Sequence, residues 1–239
     1  MKTFISLLCA MLFSTAIILT DAVAGDGLAA VYGGYNSKPS NNKMYLFDGK
    51  DYVRWHSANA QMDQGYPRDI SAWQVLPHNI DAGVYAGYSK GAFNNKLYIF
   101  KDSYYWRWNI EKGKVDKGYP KLISKGWPGL PDNLDAAVYG GYSKSSRNNK
   151  LYFFKDAYYY RWDIEKDILD AGYPKLIRNG WPGLPDNLQM AVYAGYSSLE
   201  RSNKLYFFKG NSYWRWNISN DRADANYPLS VSGNWPGLR

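Results

Sequence analysis

The sequence predicts an all-β fold made of four copies of one unit, set side by side as propeller blades or as a β-solenoid array. Three observations predict it. Tyr-Pro recurs at 66–67, 119–120, 173–174 and 227–228, and Arg-Trp at 54–55, 107–108, 161–162 and 215–216, with spacings of 53, 54 and 54 residues. A period near fifty with strand-like content marks repeat architectures of this kind. Each unit also carries short runs rich in Tyr, Phe, Val and Trp, bounded by turn residues. Finally, aromatic residues make up 18% of the chain and fall on both faces of those runs.

The first two dozen residues are a different class of sequence. Lys2 supplies a positive start, Phe4 to Leu19 is mostly apolar, and Ala22-Val23-Ala24 is a small-x-small cleavage pattern. This layout predicts a secretory signal peptide over 1–24, removed after Ala24. Its apolar run is too short and wrongly flanked for a membrane anchor, and no later segment is apolar enough for a span. The mature chain, 25–239, is therefore expected to be extracellular. Cys9 is the single cysteine and lies inside the signal, so the mature chain has no disulfide, thiol nucleophile or thiolate metal site. Its core must hold by packing alone.

Within a unit the elements follow in order. In the third copy, Ala136 to Tyr139 is an apolar run that stops at Gly140-Gly141. Lys150 to Lys155 is rich in Leu, Tyr and Phe, and a turn at Asp156-Ala157 leads to the aromatic run from Tyr158 to Ile164. The fourth copy has Lys209-Gly210-Asn211 at that turn, which suits a hairpin. Gly-Tyr-Pro and Trp-Pro-Gly-Leu-Pro pieces then close the unit. The expectation is three clear strands, one shorter outer element, and a proline-rich crossing to the next unit.

The third strand explains the excess of rings. Side chains alternate along a strand, so Tyr52, Tyr105, Tyr159 and Tyr213 share a face with Arg54, Arg107, Arg161 and Arg215. The opposite face carries Val53, Trp106, Tyr160 and Trp214, then Trp55, Trp108, Trp162 and Trp216. Two bulky faces suit a twisted sheet stacked between two similar sheets, where each face fills a wedge that widens outward. Most of the rings are accordingly expected to be inter-unit core.

Charge patterning argues against nucleic acid as a partner. The net charge is +8, which permits attraction to anionic surfaces or ligands. Yet Lys43, Lys96, Lys150 and Lys204, like the four arginines, are spread around the array by the repeat itself. A nucleic-acid groove would gather its charge along one stripe.

The ordered motif carried by Asp135-Ala136-Ala137-Val138, Leu151 to Lys155, Tyr159 to Asp163, Gly172-Tyr173-Pro174 and Trp181 to Pro185 resembles the hemopexin repeat. It recurs in all four units and covers essentially the whole mature chain. The resemblance is to hemopexin-like single-domain secreted proteins, including photopexin-like and albumin-2-like ones. It implies a four-bladed β-propeller with blades near 28–80, 81–134, 135–188 and 189–239, the first strand of each lying innermost. Two departures stand out. Animal members commonly tie the first blade to the last with a disulfide, whereas closure here must rest on packing between the segment near Leu28 and Trp235 to Leu238. The aspartate that opens the repeat is present at Asp81 and Asp135 but is Leu28 in blade one and Gln189 in blade four.

The resemblance also implies a central tunnel in which backbone carbonyls hold Ca²⁺ or Na⁺. The candidates are Leu28, Asp81, Asp135 and Gln189 at the mouth, with Ala30, Gly83, Ala137 and Ala191 two residues deeper. Backbone oxygens are hard ligands whatever the side chain. Heme is the second implied ligand, and axial ligation calls for His, Cys, Met or Tyr. His56 replaces Asn109, Asp163 and Asn217, and His78 replaces Asp132 and Asp186, so both histidines break the repeat and are the candidate ligands. In hemopexin itself heme lies between two propellers, so heme here would require an oligomer or another pocket. A protein or glycan surface is the third class of partner, a lectin being the alternative function. The loops Tyr35 to Asn42, Ser89 to Asn95, Ser143 to Asn149 and Ser197 to Asn203 vary most between units, with Arg147, Glu200 and Arg201 distinctive. No phosphate loop, His-x-x-x-His pair or nucleophile elbow is present, so no enzyme is expected. Asn217-Ile218-Ser219 is a glycosylation sequon.

Overall fold

The computed structural model describes residues 27–34, 43–57, 59–87, 95–141, 149–195 and 203–238. The signal segment, Arg147, Glu200, Arg201 and most of the four variable loops lie outside the described residues.

Four antiparallel sheets form the four blades of a propeller. The inner strands are Leu28–Tyr32, Ala82–Tyr85, Ala136–Tyr139 and Met190–Tyr193. Each pairs with a second strand, Lys43–Asp48, Lys96–Lys101, Lys150–Lys155 or Lys204–Lys209. That strand turns tightly into a third, Asp51–His56, Tyr104–Asn109, Tyr158–Asp163 or Ser212–Asn217. Register keeps the pattern in step, with Val138 opposite Tyr152 and Tyr152 opposite Arg161. The first inner strand packs beside both the second and the fourth. The array is therefore a closed ring, and the open solenoid is set aside.

The outer edge differs from the single short element expected. Each third strand pairs with two separate two-residue strands, such as Gln61–Met62 against its end and Arg68–Asp69 against its start. The Tyr-Pro piece lies between them, with its peptide bond cis in every blade, and the residue before it holds positive φ as Gly65, Gly118, Gly172 or Asn226. Short helical turns follow at Ile70–Trp73, Ile123–Gly126 and Ile177–Gly180. Each drives an isoleucine, fully buried, into the wedge between blades.

The rings do what both-face patterning requires. Trp127, Trp162, Trp181 and Trp216 are at most 1% exposed. A tryptophan from the closing segment of each blade meets a third-strand tryptophan of the next. These pairs are Trp73–Trp108 at 4.7 Å and Trp127–Trp162, Trp181–Trp216 and Trp235–Trp55 at 4.9 Å between ring centroids. Edge and tilted ring pairs add to plain area burial. At the closing seam the C-terminal segment reaches the third and outer strands of blade one. Trp235 packs on Trp55, and Gly237 lies against Met62 and Val53, because the outer part of the wedge is the wider one to fill. The inner strands close the same seam through Tyr32 and Tyr193, 5.4 Å apart.

Candidate functional site

The repeated basic residues are already engaged by acids nine residues after each arginine. Arg54, Arg107, Arg161 and Arg215 donate from Nε to Asp63, Asp116, Asp170 and Asp224 at 2.5–2.7 Å. Lys43, Lys150 and Lys204 reach the same acids in their blades. Each guanidinium also lies over the tyrosine of its Tyr-Pro pair, 4.9–5.2 Å from the centroid. Arg68, Lys121 and Lys175 cover the second approach to that ring in blades one to three, whereas Leu229 stands at this place in blade four. The regular charge pattern therefore pins the outer edge of each blade to its third strand.

These pairs set an acid limit on the fold. Burial pushes the Asp63 carboxyl up, but hydrogen bonds from Lys43 and Arg54 outweigh it and hold Asp63 below the usual carboxylate range. Asp224 behaves alike under Lys204 and Arg215. A depressed folded value means stability that is present above the unfolded value of about 4 and is lost as pH falls through the folded one. Asp63→Asn is expected to cost about 1–3 kcal/mol at pH 7. Calorimetric Tm should show the gap from the parent steady between pH 7 and 5 and shrinking below pH 4. A gap unchanged at pH 2.5 would show that the carboxylate charge is not what matters.

Around the start of the inner strands, side chains reach into the hairpins of their own blades. Asp81 accepts from Lys101 Nζ at 2.9 Å and from the Asp102 N–H at 2.6 Å. Asp135 accepts from Lys155 Nζ at 2.8 Å and from the Asp156 N–H at 2.6 Å. In blade four Gln189 Oε1 accepts from the Gly210 N–H at 2.5 Å. In blade one Leu28 has no such side chain, and the adjacent Gly27 carbonyl accepts from the Gly49 N–H at 3.1 Å. These groups clamp the hairpin between second and third strands. No cluster of three or more His, Cys, Asp or Glu able to hold a metal exists among the described residues. Ala30, Gly83, Ala137 and Ala191 lie on the buried inner strands.

The opposite end of the inner strands carries a feature that sequence reading passed over. Tyr32, Tyr85, Tyr139 and Tyr193 form a closed circle of edge-to-face rings with neighbouring centroids 5.3–5.8 Å apart. Each ring lies against the glycine two positions after the corresponding tyrosine of the preceding blade. A Cβ on Gly87 would come within 2.8 Å of Tyr139, and one on Gly195 within 2.6 Å of Tyr32. These glycines also hold φ near +80°, so two constraints coincide. The recurrence of Val-Tyr before a small residue and Gly was the available signal.

The two histidines stand at opposite ends of blade one. His56 pairs with Lys43, beside the tyrosine circle, and burial followed by the Lys43 charge lowers its pKa. His78 is exposed and precedes Asn79, whose N–H donates to Gly49 at the mouth end. A five-residue strand separates these ends, roughly 15 Å at ~3.3 Å per residue. The structure does not bring them together.

Clefts open instead at the seams of blade one. Between blades four and one, Tyr206, Tyr213, Arg215, Tyr227, Leu229, Asn234 and Trp235 face Met44, Trp55 and Ser57 around about 130 Å³. Between blades one and two, Tyr45, Tyr52, Arg54, Tyr66 and Trp73 face Leu97, Trp108 and Ile110 around about 240 Å³.

The hemopexin family model matches residues 37–78, 88–132, 143–186 and 197–239, one segment per blade. The chain is 32% identical over 203 residues to human matrix metalloproteinase-21, covering 80% of this chain and 34% of that protein. It thus spans about a third of the length of the metalloproteinase relatives it matches. Among solved structures, the hemopexin-fold protein CP4 of cow pea superposes with a TM-score of 0.65 at 21% identity, over 91% of this chain and 97% of CP4. A plant lectin with two metal binding sites from Cicer arietinum gives 0.65 at 23% identity, over 88% of this chain and 96% of the lectin.

Proposed function

The chain belongs to the hemopexin family, and from that membership we propose that it is a secreted, non-enzymatic binding module with a cation in its central tunnel. Its target is a protein or glycan surface. One observation carries the reading. The charged and aromatic groups that recur in every blade are consumed in holding the ring, while Ser57, Leu229 and Asn234 depart from the repeat at the seam between blades four and one, where a cleft opens. A scaffold with four equivalent parts and one distinctive seam suits recognition.

The tunnel donors fit a hard, weakly held ion. The carbonyls of Leu28, Asp81, Asp135 and Gln189 would supply oxygen, with Ala30, Gly83, Ala137 and Ala191 as a deeper ring. Both mouth carboxylates are matched by lysines, so little negative field is left to retain a divalent charge. Na⁺, or Ca²⁺ that chelator removes, is the expected occupant. Heme has less support, because His56 and His78 lie too far apart to share an iron.

Native mass spectrometry of protein purified from its source tests all three. The expected spectrum shows one small cation per chain, no porphyrin, and no Soret shift when hemin is added afterwards. A retained heme, or a cation content of zero in calcium-containing buffer, would overturn the corresponding part. A glycan array with no signal above an unrelated basic protein would leave protein docking alone.

A further inference from the structure

We propose that the seam between blades four and one is a binding site for a single six-membered polyhydroxyl ring, a pyranose residue at the end of a glycan. The inference rests on the binding-module reading and names its site and ligand class.

Departures from the repeat converge on this well. Ser57 stands where the other blades carry Ile110, Ile164 and Ile218, each at most 4% exposed. The seam thus loses a buried aliphatic side chain and gains a hydroxyl. Asn234 stands where blades two and three have Gly126 and Gly180. In those two blades a Cβ would lie 2.0 Å from the hydroxyl of the third-strand Tyr105 or Tyr159, whereas blade one carries Ala72. Blade four thus places an amide where two blades have no side chain and blade one has only a methyl group. Leu229 replaces the cation that lies over the Tyr-Pro ring elsewhere. The tryptophans across the seam are also more nearly parallel, at 33° rather than the 53–61° of the other three pairs.

Size and chemistry agree on the ligand. About 130 Å³ is close to the ~150 Å³ that accommodates a benzene ring in an engineered cavity. The wall carries the phenols of Tyr206, Tyr213 and Tyr227, the Ser57 hydroxyl and the Asn234 amide, whose nitrogen donates to the Ser230 carbonyl at 2.9 Å; hydroxyl and amide oxygens each have two acceptor lone pairs. Its one cation, Arg215, is matched by Asp224 at 2.5 Å, so a carboxylate or phosphate finds no unmatched charge. A ring with hydroxyls at its rim and C–H bonds on its faces matches a wall that is polar and aromatic together. The cleft between blades one and two has Ile110 in place of the serine and lacks that combination.

The test is titration of the mature protein with the methyl glycosides of glucose, galactose, mannose and N-acetylglucosamine, followed by tryptophan fluorescence and saturation-transfer NMR. At least one glycoside is expected to saturate with a dissociation constant on the order of 1 mM, the scale for about a dozen non-hydrogen atoms. Ser57→Ile, which restores the side chain of the other seams, should weaken binding more than ten-fold without lowering Tm. Asn234→Gly should weaken it several-fold and serves if the first variant folds poorly. Saturable binding that survives both variants would place the sugar elsewhere and overturn this site while leaving the binding-module reading intact. No glycoside binding by the parent would also overturn it, leaving a protein partner to its own test.

Discussion

Trp181→Ala is expected to lower stability by about 3–5 kcal/mol, the range for removing a large buried ring. Trp181 is fully buried, and its indole holds two blades at once. Within blade three it meets Tyr152 at 5.0 Å, Phe154 at 5.7 Å and Tyr159 at 6.1 Å. Across the seam it meets Phe207 at 5.1 Å and Trp216 at 4.9 Å. Alanine leaves a void that neither rigid sheet can collapse to fill, so the cavity cost adds to the lost transfer energy. The urea midpoint, with the slope checked against the parent, measures the effect. A loss under about 1 kcal/mol would mean that the wedge repacks freely and that the rings are interchangeable filling.

Asp135→Ala is the second large effect, at about 3–5 kcal/mol. The carboxylate is 1% exposed and neutralises Lys155 while accepting the Asp156 N–H. Alanine strands a half-buried ammonium and a turn amide together. Asp135→Asn should cost clearly less, because an amide oxygen can still take the Asp156 N–H. Blade four supplies the precedent in Gln189, which serves Gly210 through its side-chain oxygen. Equal losses in the two variants would refute the clamp. If the tunnel cation is held by backbone oxygen, the asparagine variant should also keep the parent's cation content by native mass spectrometry.

Much of the architecture was legible because repetition separates necessity from accident. Trp73, Trp127, Trp181 and Trp235 recur at one position and third-strand Trp55, Trp108, Trp162 and Trp216 at another, and a group kept four times is one the wedge requires. The same logic marks His56 and His78 as exceptions, and Ser57 against three isoleucines. It could not locate the acids of the Arg-Asp pairs, because the outer strand is split and Asp63 faces Arg54 only after the chain doubles back. Nor could it place the histidines, since one-dimensional distance does not say which end of a strand a crossing segment reaches.

By itself, the sequence determined the number of units, their strand content and the burial of the rings, because those follow from period and alternation, which are local. Tertiary structure alone decided that the array closes, that Tyr32, Tyr85, Tyr139 and Tyr193 meet in a circle, and that Ser57 and Asn234 share a well. Those facts join residues far apart along the chain. The angle at which each blade packs on the next sets their distance, and that angle is a property of the whole ring.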